Sequence, residues 1–100
     1  MFKDCYETNK TFDSVYEDIT FSLSNVLTIR DVIDNTRRIV FDCKKSDNVY
    51  LDVSCNLYHT LKPTTNLSIK LRTYRPTQED IGLYTLLHSI IQDKIKCWSE

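Results

Sequence analysis

Apolar and polar residues alternate along several stretches of the chain, and this alternation predicts a protein built mainly from β-strands. The clearest stretch covers residues 49–58. Its apolar positions are Val49, Leu51, Val53, Cys55 and Leu57. Its polar positions are Tyr50, Asp52, Ser54, Asn56 and Tyr58. An antiparallel strand with one face on a core and the other in solvent has this pattern.

A second alternating stretch, residues 37–43, precedes this strand and is joined to it by the polar residues 44–48. Two strands joined by a short polar turn predict a β-hairpin. A symmetric turn would place Ile39 opposite Val53 and Cys43 opposite Val49.

Other segments have weaker patterns. Residues 17–24 and 67–71 also alternate and are predicted to be strands. Residues 1–14 form a polar tail or an edge strand. Residues 25–36 fit either a short helix or the end of a strand followed by a loop.

The segment from Ile81 to Trp98 fits two periods. Thr77 and Asp80 have the spacing of a capping box, which marks the start of a helix. One helical face would then carry Leu83, Leu86, Leu87, Ile90, Ile91 and Ile95. Part of the segment also alternates with a period of two, so a strand covered on both sides is the alternative. The local pattern favours the helix.

Length and composition limit the possible functions. The chain has 100 residues, of which 41% are hydrophobic, and its net charge is −1. These values indicate one small domain over residues 15–100 and exclude a basic tail or a disordered segment. No apolar run approaches the ~20 residues of a membrane span. Acidic residues stand where a signal peptide would be apolar, so we expect a soluble intracellular protein.

Little in the sequence indicates catalysis. One glycine, Gly82, is too few for a phosphate-binding glycine loop. His59 and His88 lie on different predicted elements without a nucleophile at a recognisable spacing. The four cysteines form no CxxC pair, so we expect reduced thiols, no metal and no cofactor. We therefore expect a protein that is not an enzyme.

The outward faces of two predicted strands carry basic and aromatic side chains, which are Lys70, Arg72, Tyr74, Tyr50 and Tyr58. Small barrels bind single-stranded nucleic acids with such a combination, because bases stack on the rings and phosphates pair with the cations. Asp52 shares this face, and the net charge of the chain is negative. Contact with nucleic acid through Lys70, Arg72 and Tyr74 is therefore the alternative to protein binding.

Five short motifs follow one another between residues 16 and 91. They read YEDI at 16–19, RRI at 37–39, LDVSCNLY at 51–58, LSIKL at 67–71 and DIGLYT at 80–85. In this order they resemble the eighth subunit of eukaryotic RNA polymerases, the small subunit shared by polymerases I, II and III. Ser54 stands where that family has Asn, and Thr85 stands where it has Gly.

The resemblance implies a small antiparallel β-barrel related to the OB fold. The local patterns leave room in it for a short helix near residues 25–34 or at the C-terminus. It also implies a strand over residues 81–91, and we adopt this expectation because the resemblance accounts for the whole order of segments. The family continues past the position of Glu100, so the barrel would be truncated.

The resemblance further implies a role. The chain would be a nuclear, non-catalytic subunit that docks on the largest RNA polymerase subunit and supports assembly of the transcription complex. Physical chemistry alone suggests Tyr50, Asp52 and Tyr58 as partner-binding residues. Two alternatives stay open, a stand-alone OB-type single-strand binder and a small adaptor of a parasite or virus that binds a host protein.

Overall fold

The computed structural model describes residues 3–33, 37–56 and 64–98. They form five strands and two helices, in the order β1 (Lys3–Thr8), α1 (Phe12–Ser22), β2 (Leu27–Ile33), β3 (Arg38–Cys43), β4 (Val49–Asn56), β5 (Thr64–Leu71) and α2 (Gln78–Trp98). All strand pairs are antiparallel, and the strand order in the sheet is β1-β5-β4-β3-β2. The expectation of a mainly β fold is thus confirmed at the level of one five-stranded antiparallel sheet. Strands β1 and β2 are its two edges, so the described residues show an open sheet and not the closure of the expected OB-like barrel.

The predicted hairpin is present as β3 and β4. Ile39 pairs with Val53, as a symmetric turn requires, and Phe41 pairs with Leu51. These four side chains are at most 2% exposed. Every second residue of each strand therefore points into the core, which is why the alternation predicted this part of the fold.

One hydrophobic core lies between the sheet and the two helices. Residues of both helices and of the strands belong to the same buried cluster. The fully buried helical members are Val15, Ile19, Leu87 and Ile91. Since the helices supply this layer on one face of the sheet, the opposite face carries the polar residues of the alternating strands. We call that opposite face the outer face.

Residues 17–22 are helical, and the prediction of a strand over residues 17–24 was wrong. Val15, Ile19 and Leu23 are spaced by four residues and are buried together, as on one side of a helix. Phe21, which completed the apparent alternation, is 87% exposed. The Thr11 hydroxyl accepts a hydrogen bond from the backbone N–H of Ser14 and caps this helix.

The two uncertain segments are also resolved. Residues 27–33 form the strand β2 rather than a short helix. Residues 78–98 form α2, so the expected strand over residues 81–91 was wrong and the local pattern was correct. The capping box is present, because the Asp80 N–H donates to Thr77 Oγ1 and the Thr77 N–H donates to Asp80 Oδ2.

Candidate functional site

The outer face brings polar side chains of neighbouring strands into register. Tyr50 of β4 pairs with Lys70 of β5 on one side and with Asp42 of β3 on the other. Asp52 pairs with Ser68 and with Val40. Because residues two apart on a strand point to the same side, Tyr50 and Asp52 share this face with Asp42 and Lys70.

Asp52 is the centre of one ion-pair group. Arg38 binds it through two parallel hydrogen bonds, Nε to Oδ1 at 3.0 Å and Nη2 to Oδ2 at 2.7 Å. Lys70 Nζ lies 3.5 Å from Oδ2. Asp52 is only 8% exposed although it lies on the open face of the sheet. Bidentate pairing of this kind fixes both the position and the orientation of the guanidinium.

Asp42 is the centre of a second group. Arg72 Nη2 donates to Asp42 Oδ1 at 2.8 Å, and Arg72 Nη1 donates to the backbone carbonyl of Asp47. The Arg72 guanidinium also lies 4.2 Å from the centre of the Tyr50 ring, within the range of a cation–π interaction. Arg30 Nη1 is 3.8 Å from Asp42 Oδ2 and is the most loosely held of these cations.

We call these two groups together the outer-face network. It joins four cations to two carboxylates around one aromatic ring, and its members are Arg30, Arg38, Asp42, Tyr50, Asp52, Lys70 and Arg72. Its formal charge is positive, yet each of its cations already lies near a carboxylate. The face therefore presents a pre-arranged pattern of both charges rather than a set of unpaired cations.

The structure brings together four of the six residues singled out from the sequence, which are Tyr50, Asp52, Lys70 and Arg72. Tyr74 lies elsewhere, because β5 ends at Leu71 and Tyr74 is a fully exposed residue in the connection to α2. Tyr58 is outside the described residues.

Sequence reasoning missed Arg30, Arg38 and Asp42 as members of the site. The alternation of β3 places Arg38 and Asp42 on the polar side of the strand, so a signal was present for these two. Their roles depend on which residues of β4 and β5 stand beside them, and that register follows only from the folded sheet.

A second polar cluster joins β1 to α2 near the other edge of the sheet. Tyr84 Oη donates to Asp4 Oδ2 at 2.7 Å, and Tyr6 Oη is hydrogen-bonded to His88 Nδ1. His88 Nδ1 also lies 3.4 Å from Asp4 Oδ2. Burial, together with the negative charge of Asp4, raises the pKa of both phenols. The phenols therefore stay protonated at neutral pH, and the cluster holds the helix on the edge strand.

All four cysteines are free thiols. Burial raises the pKa of Cys43 to about 11, so this thiol stays protonated at neutral pH. In the described parts of the chain, no three His, Cys, Asp or Glu side chains are grouped closely enough to hold a metal ion.

Neither described helix is long and apolar enough to cross a membrane. Comparisons with protein families, with curated proteins and with solved structures find no match to this chain.

Proposed function

We propose that this chain is a non-catalytic, protein-binding subunit that docks on a larger partner through the outer-face network. The observation that carries this proposal is the group formed by Tyr50, Arg72 and Asp42 beside the bidentate Arg38–Asp52 pair. Tyrosine and arginine are the residue types enriched at the energetic centres of protein interfaces.

The pairing of the cations supports a protein partner. Asp52 and Asp42 hold Arg38 and Arg72 in defined positions before any partner arrives. Less side-chain entropy is then lost on binding, which favours affinity. A surface that alternates positive and negative groups also selects a partner of complementary charge and disfavours others.

The same contacts make a stand-alone OB-type nucleic-acid binder the second choice. A base would stack on a free aromatic face, but the Tyr50 ring lies 4.2 Å from the guanidinium of Arg72. Phosphates would compete with Asp42 and Asp52 for cations that these carboxylates already bind. The excess of two positive charges in the network, four cations against two carboxylates, is what favours this alternative.

The partner to test first is the one that the resemblance implies, the largest subunit of a nuclear RNA polymerase. The motifs at 51–56 and 67–71 lie in strands, as the family pattern expects. The motifs at 16–19 and 80–85 lie in helices, so support for this partner comes from the central strands. The adaptor that binds a host protein uses the same outer face and differs only in the partner recovered.

The test is affinity purification of the tagged chain from the cells that express it, followed by mass spectrometry. We expect stoichiometric recovery of a large protein partner with the wild type and with Tyr74→Ala, the matched control. Tyr50→Ala and Arg72→Gln should lose that partner while keeping the circular dichroism spectrum of the wild type. Recovery of the largest polymerase subunit would identify the partner class.

Two results would count against the proposal. Retention of the same partner by Tyr50→Ala and Arg72→Gln would show that another surface docks. Tight, salt-sensitive binding of a labelled oligothymidine by the purified chain, lost in Arg72→Gln, would favour the nucleic-acid alternative, because release of counterions makes such binding fall steeply with salt.

A further inference from the structure

The side of α2 that faces away from the core carries no charged residue over most of its length. Residues 81–92 contain no Asp, Glu, Lys or Arg, although 27% of the chain is charged. The exposed positions of this segment are Gly82, Thr85, Leu86, Ser89 and Gln92. A helix face in water normally carries charged residues, whereas the centre of a protein interface is depleted of them. The composition of this side is therefore that of a contact surface.

Gly82 is the only glycine of the chain, and it lies inside α2 rather than in a turn. Its φ is not positive, so the backbone conformation does not require a glycine. A Cβ at this position would meet no atom of the described residues within 4 Å. Alanine would stabilise the helix more than glycine does. The packing within the chain gives no reason for Gly82, whereas the close approach of another backbone from outside would explain it.

Charged residues return at the two ends of this side of the helix. Glu79 is exposed in the first turn, and Lys96 is exposed in the last turn. The positions 79, 82, 86, 89, 93 and 96 are separated alternately by three and four residues, the spacing of contact positions in paired helices. We call these positions the α2 back face. Its two ends carry opposite charges, and its centre is uncharged.

We propose that the α2 back face binds a second copy of the chain, so that two α2 helices pack antiparallel. Glu79 of each copy would lie opposite Lys96 of the other copy, because antiparallel packing brings the first turn of one helix to the last turn of the other. The two Leu86 side chains would meet near the two-fold axis. Asp93 would lie opposite Gly82 of the other copy, where no side chain opposes its carboxylate.

The charges favour a second copy in this orientation. The contact needs a helix with a carboxylate at one end and a cation at the other, and α2 itself supplies both. Parallel packing would instead place Glu79 beside Glu79 and Lys96 beside Lys96, and like charges in contact are unfavourable. The contact is small, because residues 79–96 of a helix extend over about 26 Å. We therefore expect a weak dimer that forms with rising concentration.

This dimer would leave the outer face of each copy open, because the helices and the outer face lie on opposite sides of the sheet. The two outer-face networks would point in opposite directions, so one dimer would have two docking faces. The inference therefore goes beyond the proposed function and does not depend on it.

The test is sedimentation equilibrium of the purified full-length chain at concentrations from about 10 μM to about 1 mM. The weight-average mass should rise from the 11.8 kDa of one chain towards twice that value. Leu86→Lys should remain a monomer throughout, because it places two cations at the centre of the contact. Glu17→Lys, which changes an exposed residue of α1, is the control and should associate as the wild type does.

Reversal of the end charges tests the antiparallel pairing. Glu79→Lys and Lys96→Glu should each associate roughly fivefold or more weakly than the wild type, since each creates two like-charge contacts. An equal mixture of the two variants should associate again, because every contact between the unlike chains then joins a cation to a carboxylate. Mixing cannot restore association that was lost through damage to the fold.

Gly82→Ala separates a role in contact from a role in folding. This variant should raise the melting temperature of the dilute monomer, because alanine is the better helix former. It should also raise the dissociation constant of the dimer, because the added methyl group would lie at the contact. Tyr50→Ala should associate as the wild type does, which distinguishes this inference from the proposed function.

Three outcomes would overturn the inference. The first is a mass of one chain at every concentration. If Leu86→Lys then also lost a protein recovered from cells, a helix of that protein would be the occupant of the back face. The second is a mixture of Glu79→Lys and Lys96→Glu that associates no better than either variant alone. The third is a dimer that persists in Leu86→Lys and dissociates in Tyr50→Ala, which would place the contact on the outer face.

Discussion

Asp80 is the residue that joins the β3–β4 turn to the start of α2. Its Oδ1 accepts a hydrogen bond from Ser46 Oγ, and its Oδ2 accepts from Asn48 Nδ2 at 3.1 Å and from the Thr77 N–H at 3.0 Å. The hydrogen bonds from Ser46 and from the Thr77 backbone lower the pKa of this carboxyl below its ordinary value. One carboxylate thus caps a helix and fixes the turn.

Asp80→Asn should lower the melting temperature at neutral pH. The melting temperature of this variant should also fall less than that of the wild type as the pH is lowered. Because the folded-state pKa of Asp80 is lowered, its ionised form adds stability above the unfolded-state pKa of 3.8, and this stability is lost as the pH falls through the folded pKa. Thermal melts between neutral and acid pH test this, with Asp93→Asn, an exposed carboxylate on α2, as the control. A melting temperature that falls equally with acid in the wild type and Asp80→Asn would contradict the assignment.

Leu51 lies at the centre of the sheet and is fully buried. Leu51→Ala should lower the free energy of unfolding by roughly 2–4 kcal/mol, because the surrounding core cannot collapse fully into the space left behind. Urea denaturation measures the change, and Tyr74→Ala, at a fully exposed position, should stay within about 0.5 kcal/mol of the wild type. An unchanged free energy of unfolding in Leu51→Ala would show that the inner face of β4 has been assigned incorrectly.

At the scale of elements, Asp18 connects the two helices. It accepts hydrogen bonds from Lys94 Nζ at 2.7 Å, from Trp98 Nε1 at 2.8 Å and from Ser22 Oγ at 2.8 Å. Burial alone would raise the pKa of Asp18, but these hydrogen bonds outweigh it and the pKa is lowered. The C-terminal turns of α2 are therefore attached to α1 mainly through Asp18, and Lys94 Nζ also donates to Ser22 Oγ at 2.9 Å.

Asp18→Ala should release the end of α2. Since Trp98 is the only tryptophan, its fluorescence reports this contact directly, and we expect a red shift of its emission and easier quenching by acrylamide. The cost in stability should be about 1 kcal/mol. Glu17→Ala, which removes the neighbouring carboxylate on α1, is the matched control. Unchanged Trp98 emission in Asp18→Ala would refute the attachment.

The elements that sequence predicted correctly are those with one buried and one polar face. In β3, β4 and β5 the core sets a period of two, so the alternation and the pairing of Ile39 with Val53 followed. Helix α1 was missed because Phe21 extends the spacing of Ile19 and Leu23 into a false alternation. In α2 the capping-box spacing of Thr77 and Asp80 predicted the start of a helix correctly, whereas the family pattern implied a strand. The two residues form the reciprocal hydrogen bonds of that motif.

At the scale of the whole molecule, the position of the helices decides which surfaces are open. Ile29 and Val32 have the sequence pattern of core residues, yet both are exposed because the helices pack mainly over the other strands. The outer-face network likewise depends on the register of β3, β4 and β5, which places Arg38 and Lys70 beside Asp52. Sequence could predict the polar side of each strand, but not the arrangement of strands and helices that decides which side chains meet and which stay exposed.

Helix α2 is hydrogen-bonded to β1 and to α1, the first two elements of the chain, and these contacts should make unfolding cooperative. It is bonded to β1 through the Tyr84–Asp4 contact and to α1 through Trp98 and Asp18. Trp98 emission and far-ultraviolet circular dichroism should therefore report the same urea midpoint, as two-state unfolding requires.

Tyr84→Phe tests this cooperation, because it removes the hydroxyl at β1 without changing anything at Trp98. Loss of this hydrogen bond should cost about 1 kcal/mol. If the molecule unfolds as one unit, both probes must move to the same lower midpoint, although the hydrogen bond that is removed joins α2 to β1. Tyr74→Phe, which removes a hydroxyl from a fully exposed ring, should leave both midpoints in place. A Trp98 midpoint that stays unchanged in Tyr84→Phe would mean that the end of α2 unfolds independently of the sheet.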